Sequence, residues 1–361
     1  MLPRDWGAKA PRSHFYGDIA VLKIIAISTT FVIWTTAGAA ALDVETYRHS
    51  DKVVLMAKIE TPQSAGPFPV VMTIHGGAFT NARRDRTRFE QSFFDHFTSR
   101  GIAVMSVEYR VVGEGGAYPE AIKDSMHNLH WLIDNAETYR FDTSSITMLG
   151  SSSGSYLAMM VALTSDRGDY QPDFGPYKNR RATVRATICH AGIYDWTAIG
   201  KGKEFIGPHR SEKDASPINR SGQGTCKSFL LLGGEKDTEW SPPQAARAMQ
   251  SSLKKNGRYC ELHLKKDEGH TGLYDDTSEF SKWAFAYIDE FIVAKMLSDK
   301  PTLIMHSLKH HLCLKRAYQF HSIFHSAAIS RSNKPERMYC INGSLVKNAH
   351  PSVARILLGR Q

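Results

Sequence analysis

Leu149-Gly150-Ser151-Ser152-Ser153-Gly154 is a G-x-S-x-G sequence set between an apolar run, Ile146–Leu149, and a helix-like run, Tyr156–Leu163. Strand, sharp turn, helix is the order that lifts a serine hydroxyl above a sheet as a nucleophile. The flanking glycines have a physical reason. So tight a turn leaves no room for side chains beside its centre, and glycine tolerates strained backbone angles without a Cβ. Ser151 and Ser153 sit beside it, but only Ser152 is centred between the glycines. The pentapeptide arises by chance in roughly one chain in ten of this length, so its surroundings must decide.

A hydroxyl attacks poorly until a base takes its proton, and that base needs an acid to hold its tautomer. The partners should follow later strands. Leu230-Leu231-Leu232-Gly233-Gly234-Glu235-Lys236-Asp237 is an apolar strand, a glycine turn and then an acid. Asp237 is the favoured carboxylate, with Glu235, Glu239 and Asp267 as competitors. Glu261–Lys265 followed by Asp267-Glu268-Gly269-His270 supplies the base. The chain order is Ser152, Asp237, His270.

A fourth element is Val71-Met72-Thr73-Ile74-His75-Gly76-Gly77-Ala78-Phe79, a strand ending in H-G-G. Acyl transfer builds a negative oxygen that backbone N–H groups can hold if they point at it. Gly76 and Gly77 are candidate donors, joined by the amide of Ser153. The alternative is that these glycines serve only a tight turn.

Outward from these motifs, apolar runs alternate with helical patterns. Strands are predicted at Lys52–Glu60, Pro69–Ile74, Ile102–Tyr109, Ile146–Leu149, Val184–His190, Ser228–Leu232 and Cys260–Lys265. Helices are predicted at Phe89–Ser99, Pro119–Glu137, Tyr156–Leu163, Pro242–Asn256 and Glu279–Ala294. This rhythm implies an α/β fold with a mostly parallel sheet covered on both faces.

The chain has 361 residues, 42% of them hydrophobic, enough for a substantial core. Its net charge of +9 is unevenly spread. From Lys300 onward ten Lys/Arg accompany one acid, Glu336, so the preceding residues balance. A nucleic-acid-tracking surface on the main domain is therefore not expected. Residues 1–41 read as a signal peptide: Lys23, the apolar run Ile24–Trp34, then Ala37-Gly38-Ala39-Ala40-Ala41. An uncleaved membrane anchor is the alternative; cleavage predicts export to the periplasm or medium and no stable membrane partner. The catalytic domain is assigned to residues 42–297, and residues 298–361 to a basic, His-containing extension, expected to be poorly ordered. Its histidines lack a metal-ligand spacing, so no metal is expected there. Cys226 and Cys260 start neighbouring predicted strands, either as a disulfide or as two buried thiols.

The chain resembles the α/β-hydrolase superfamily, in its carboxylesterase-like branch with hormone-sensitive-lipase-type, feruloyl/acetyl esterase and kynurenine formamidase-like members. The resemblance covers roughly Asp43 to Ala294. It rests on His75-Gly76-Gly77-Ala78-Phe79, Val107-Glu108-Tyr109-Arg110, Pro119-Glu120-Ala121 with Asp124, Gly150–Gly154, Ser216-Pro217-Ile218, Gly234-Glu235-Lys236-Asp237 and Gly269-His270. It implies a Ser152–His270–Asp237 triad, an oxyanion hole at the H-G-G stretch, and no cofactor. Ala78 departs from the third glycine of many relatives, and Ser155-Tyr156 from their small residues.

Ile193–Gln223 is a short cap insertion, long enough for a short helix over the site and too short for a large cap domain. A fairly open pocket is expected, with Ala78, Phe79, Trp196, Phe205, Trp240 and Tyr274 at its border, either lining it or packing. That favours short acyl esters, acetyl- or feruloyl-type, small or polymer-borne. The alternatives are aryl formamide or peptide hydrolysis, or a binding module that has lost catalysis. The sequence leaves the oligomeric state open.

Overall fold

The computed structural model describes residues 41–80, 87–178, 180–270, 278–297, 338–341 and 344–347. The predicted signal segment and most of the basic extension lie outside them.

The chain starts with an antiparallel pair, β1 (Leu42–Ser50) and β2 (Val53–Glu60), then β3 (Phe68–Ile74), α1 (Thr87–Thr98) and β4 (Ala103–Val107). Next come α2 (Glu120–Asp134), α3 (Ala136–Tyr139), β5 (Phe141–Ser151), α4 (Ser153–Thr164) and β6 (Ala186–His190). Three one-turn helices follow, α5 (Trp196–Ile199), α6 (Lys203–Ile206) and α7 (Glu212–Ala215). The domain ends with β7 (Ser228–Gly234), α8 (Pro243–Lys255), β8 (Tyr259–Lys265) and α9 (Glu279–Lys295). Within the basic extension, β9 (Met338–Ile341) and β10 (Ser344–Lys347) form an antiparallel pair.

The main sheet has eight strands in the order β1-β2-β4-β3-β5-β6-β7-β8. β1 and β2 pair antiparallel, β2 meets β4 antiparallel, and β3 to β8 run parallel. Each parallel strand feeds two cores, because successive side chains point to opposite faces. Val70, Met72 and Ile74 join the core that holds α2, α4 and α8, whereas Val71 joins the one under α1 and α9. Phe229 and Leu231 divide from Leu230 and Leu232 in the same way.

Every residue of α4 is buried, as expected of a helix that is apolar all round. Its N-terminus therefore has one fixed place, directly above the end of β5. Strand order reverses here, since β4 and β6 lie on opposite sides of the β3–β5 pair. That is a switch point, where open α/β sheets bind ligands.

The cap insertion differs from a single helix. Gly200, Gly202 and Gly207, at φ of 60°, 85° and 82°, break it into separate turns. The turns are tied down by Tyr118 N–H to the Phe205 carbonyl (2.8 Å) and Tyr156 O–H to the Ala215 carbonyl (3.0 Å). Cys189, Cys226 and Cys260 are free, buried thiols. Cys260 stands opposite Phe229, not Cys226, so the two strand starts are out of step.

Candidate active site

The G-x-S-x-G turn is as tight as its glycines require. A Cβ on Gly150 would lie 2.2 Å from the Gly154 carbonyl oxygen, and one on Gly154 would lie 2.1 Å from that of Ile74. Ser152 takes φ 52° and ψ −118°, a strained conformation for a residue with a side chain. Its amide donates to the His190 carbonyl at 2.9 Å. The turn is thus held between the ends of β3 and β6.

The three consecutive serines face three different rings. Ser151 Oγ lies 2.9 Å from His190 Nδ1, Ser152 Oγ 2.9 Å from His270 Nε2, and Ser153 Oγ 3.1 Å from the Tyr109 hydroxyl. The ring facing Ser152 continues to a carboxylate: His270 Nδ1 is 2.6 Å from Asp237 Oδ2.

Asp237 leaves β7 on a loop that wraps its other oxygen. Oδ1 accepts the amides of Glu239 (3.2 Å), Trp240 (3.3 Å) and Ser241 (3.3 Å). Burial opposes the ionised form, yet the His270 ring and these amides outweigh it and hold the carboxyl below its usual range. An ionised carboxylate only accepts, so His270 Nδ1 carries a proton and donates to it. Nε2 of the neutral ring is then free to accept from Ser152. The His270 side chain is 28% exposed and Asp237 is buried, so the imidazole is the solvent-facing member of the pair. The competing acids are elsewhere: Glu235 pairs with Arg247, Glu239 with Lys201 and Asp267 with Lys236.

His190 was not singled out from the sequence. It is buried, and burial, with a smaller contribution from the nearby His270, pushes its imidazole down to about 3. Among the described residues its Nε2 has no hydrogen-bond partner. Its place at the end of β6, beside the serine turn, was the available signal.

Gly76 and Gly77 follow β3 next to the N-terminus of α4. Gly77, Ala78 and Phe79 all have positive φ, at 129°, 53° and 62°. Ala78 thus adopts a backbone that glycine takes more readily. Among the described residues, the amides of Gly76, Gly77 and Ser153 have no backbone acceptor. First-turn amides of a helix are open by construction, and the helix dipole adds positive potential there. Phe79 anchors the turn, stacking on Phe205 with ring centroids 3.8 Å apart and meeting Tyr156 edge-on at 5.6 Å.

The predicted pocket residues are divided. Phe79, Trp196 and Phe205 are buried together in an aromatic cluster, Trp196 stacking on Phe205 at 5.6 Å. Trp240 is half-buried under the Lys201 ammonium, 5.5 Å from its ring, and Ala78 is half-buried. Tyr274 lies outside the described residues.

Known proteins carry the same arrangement of sheet and helices. Esterase 2 of Thermogutta terrifontis, phosphoramylated by tabun, is 20% identical and superposes with a TM-score of 0.60, over 70% of this chain and 94% of that one. The propionate-bound form of that esterase gives 0.60 at 20% identity, over 72% and 94%. Esterase LipQ of Mycobacterium tuberculosis is 28% identical over 213 residues, 54% of this chain and 48% of LipQ. The chain spans about half the length of the curated relatives it matches. The family model of BD-FAE matches residues 58–242, from β2 through the Asp237 loop. With just over half of its residues inside that match, on a sheet of this order, the chain belongs to the BD-FAE family, among the carboxylesterase-like α/β-hydrolases.

Proposed function

We propose that the chain is a serine carboxylic-ester hydrolase for short-chain acyl esters, working through Ser152, His270 and Asp237. The carrying observation is the unbroken line from Ser152 through His270 to Asp237, at 2.9 and 2.6 Å. As Ser152 Oγ attacks the ester carbonyl carbon, its proton passes to His270 Nε2, and Asp237 stabilises the imidazolium. The amides of Gly76, Gly77 and Ser153 hold the carbonyl oxygen as it becomes negative. The intermediate collapses, the C–O bond to the alcohol breaks, and His270 gives that alcohol the proton. A water then loses a proton to His270 and attacks the acyl-serine; the acid leaves and Ser152 regains its proton.

Two observations support a short acyl group. The buried Phe79, Trp196 and Phe205 fill the space behind the oxyanion turn. The Thermogutta esterase of the same fold was captured with propionate. We further infer export, from the apolar segment Ile24–Trp34 and the small residues after it.

The test is hydrolysis of p-nitrophenyl acetate, butyrate and longer esters by the wild type and by Ser152→Ala. Turnover falling with chain length and lost in the variant supports the reading. Activity kept by Ser152→Ala defeats it, a maximum at long chains defeats the short-acyl part, and faster cleavage of an aryl formamide reassigns the substrate.

A further inference from the structure

Tyr109 sits just beyond β4, 1% exposed, with its ring stacked on that of His75 at 4.6 Å and 18°. Its hydroxyl donates to the His75 carbonyl at 3.3 Å and meets Ser153 Oγ at 3.1 Å. A phenol has one proton and a carbonyl can only accept, so the Ser153 hydroxyl donates to the phenol oxygen. One side chain thereby joins the residue before Gly76 to the residue after Ser152. Its own anchorage is firm on both sides. The Glu108 carboxylate accepts the Met56 amide (2.9 Å), and the Asn128 side chain donates to the Glu108 carbonyl (2.8 Å). Arg110 grips the fully buried Asp124 through Nη2 at 2.8 Å and through its amide at 2.9 Å.

We propose that Tyr109 is a positioning residue that sets the separation between the two sides of the oxyanion pocket, the Gly76–Gly77 turn and the Ser153 amide. The proposal rests on the hydrolase reading above. Tyr109 touches no reacting atom. Its effect falls on the transition state, because hydrogen bonds to a developing oxyanion depend steeply on donor placement and the uncharged ester needs them less.

The test uses the full chain carrying Tyr109→Phe, Ser153→Ala or both. Its readouts are kcat and KM for p-nitrophenyl acetate and inhibition by a trifluoromethyl ketone, which forms a tetrahedral adduct with a serine. Each single variant is expected to lower kcat about tenfold, with KM changed by less than about twofold, and to weaken the ketone by the same factor. The double variant is expected to be no worse than either single, since both cut one bridge. Wild-type kcat in the single variants, a raised KM with kcat kept, or losses that multiply in the double variant overturn the proposal. Ser153→Ala leaves the buried phenol in place, so the test survives a Tyr109→Phe chain that fails to fold. Ser152→Ala, run alongside, separates the two claims. Activity surviving there defeats the hydrolase reading, whereas an inactive Ser152→Ala beside unaffected Tyr109→Phe and Ser153→Ala defeats only the bridge.

Discussion

Ser151 meets His190 through Nδ1, the ring nitrogen that in His270 is given to the carboxylate. The two serine–histidine pairs have the same 2.9 Å separation and opposite chemistry. His190 is sealed in and, among the described residues, its Nε2 meets no carboxylate, so it is poorly placed to stabilise a proton taken from a serine. His190→Ala is expected to cost about 1–3 kcal/mol of stability, from the stranded Ser151 hydroxyl and lost packing. It should keep kcat within about tenfold, whereas His270→Ala should lose about 10⁴-fold or more. Urea unfolding and ester kinetics on both variants check this; equal kinetic losses would refute it.

Asp237→Asn should leave the fold intact, because the amide oxygen can still accept from the 239–241 loop. It should lower kcat by about 10⁴-fold, because its NH₂ group drives His270 into the tautomer that cannot take the serine proton. Kinetics alongside circular dichroism separate that outcome from unfolding.

Gly154→Ala should abolish the proposed ester hydrolysis, since the new methyl carbon would fall on the Ile74 and His75 carbonyl oxygens, 2.1 and 2.5 Å away. Backbone cannot yield there without moving β3 or α4, at about 1–3 kcal/mol or more. Gly168→Ala, with nothing within 4 Å, is the matched control and should be silent in melting temperature and turnover.

Acid should destabilise the domain well above the carboxylate range. Burial holds the His127 ring down to about 4 and the His190 ring down to about 3, against an ordinary 6.5. Above pH 6.5 this stability is fully present. Below it the unfolded chain binds protons that the folded chain refuses, so stability falls as pH drops toward 4. Each ring contributes about 1.4 kcal/mol per pH unit. His127→Asn should therefore flatten the profile by that amount between pH 4 and 6.5, as measured by denaturant midpoints across pH.

What could be read in the chain follows locality. The parallel strands were legible because burial on both faces makes them continuous apolar runs, as in Val70–Ile74 and Phe229–Leu232. β1 was not: Leu42–Ser50 is an edge strand, largely exposed, and its polar sequence carries no burial signal. Ser152, Asp237 and His270 could be named in order because each follows a recognisable strand. The sharing of three serines among His190, His270 and Tyr109 could not, since those rings are 39, 118 and 44 residues away and only the closed sheet brings them to one turn. The split cap was foreshadowed by Gly200, Gly202 and Gly207, but their left-handed angles emerge only against the packed aromatic cluster.

The imidazole that would activate Ser152 is supplied 118 residues downstream, beyond the final strand of the main sheet. During synthesis the alcohol, its strained turn and the amides around it all emerge from the ribosome long before their base does. If the proposed hydrolysis holds, a nascent chain is expected to stay inert toward esters until residue 270 has emerged and β8 has taken its place beside β7.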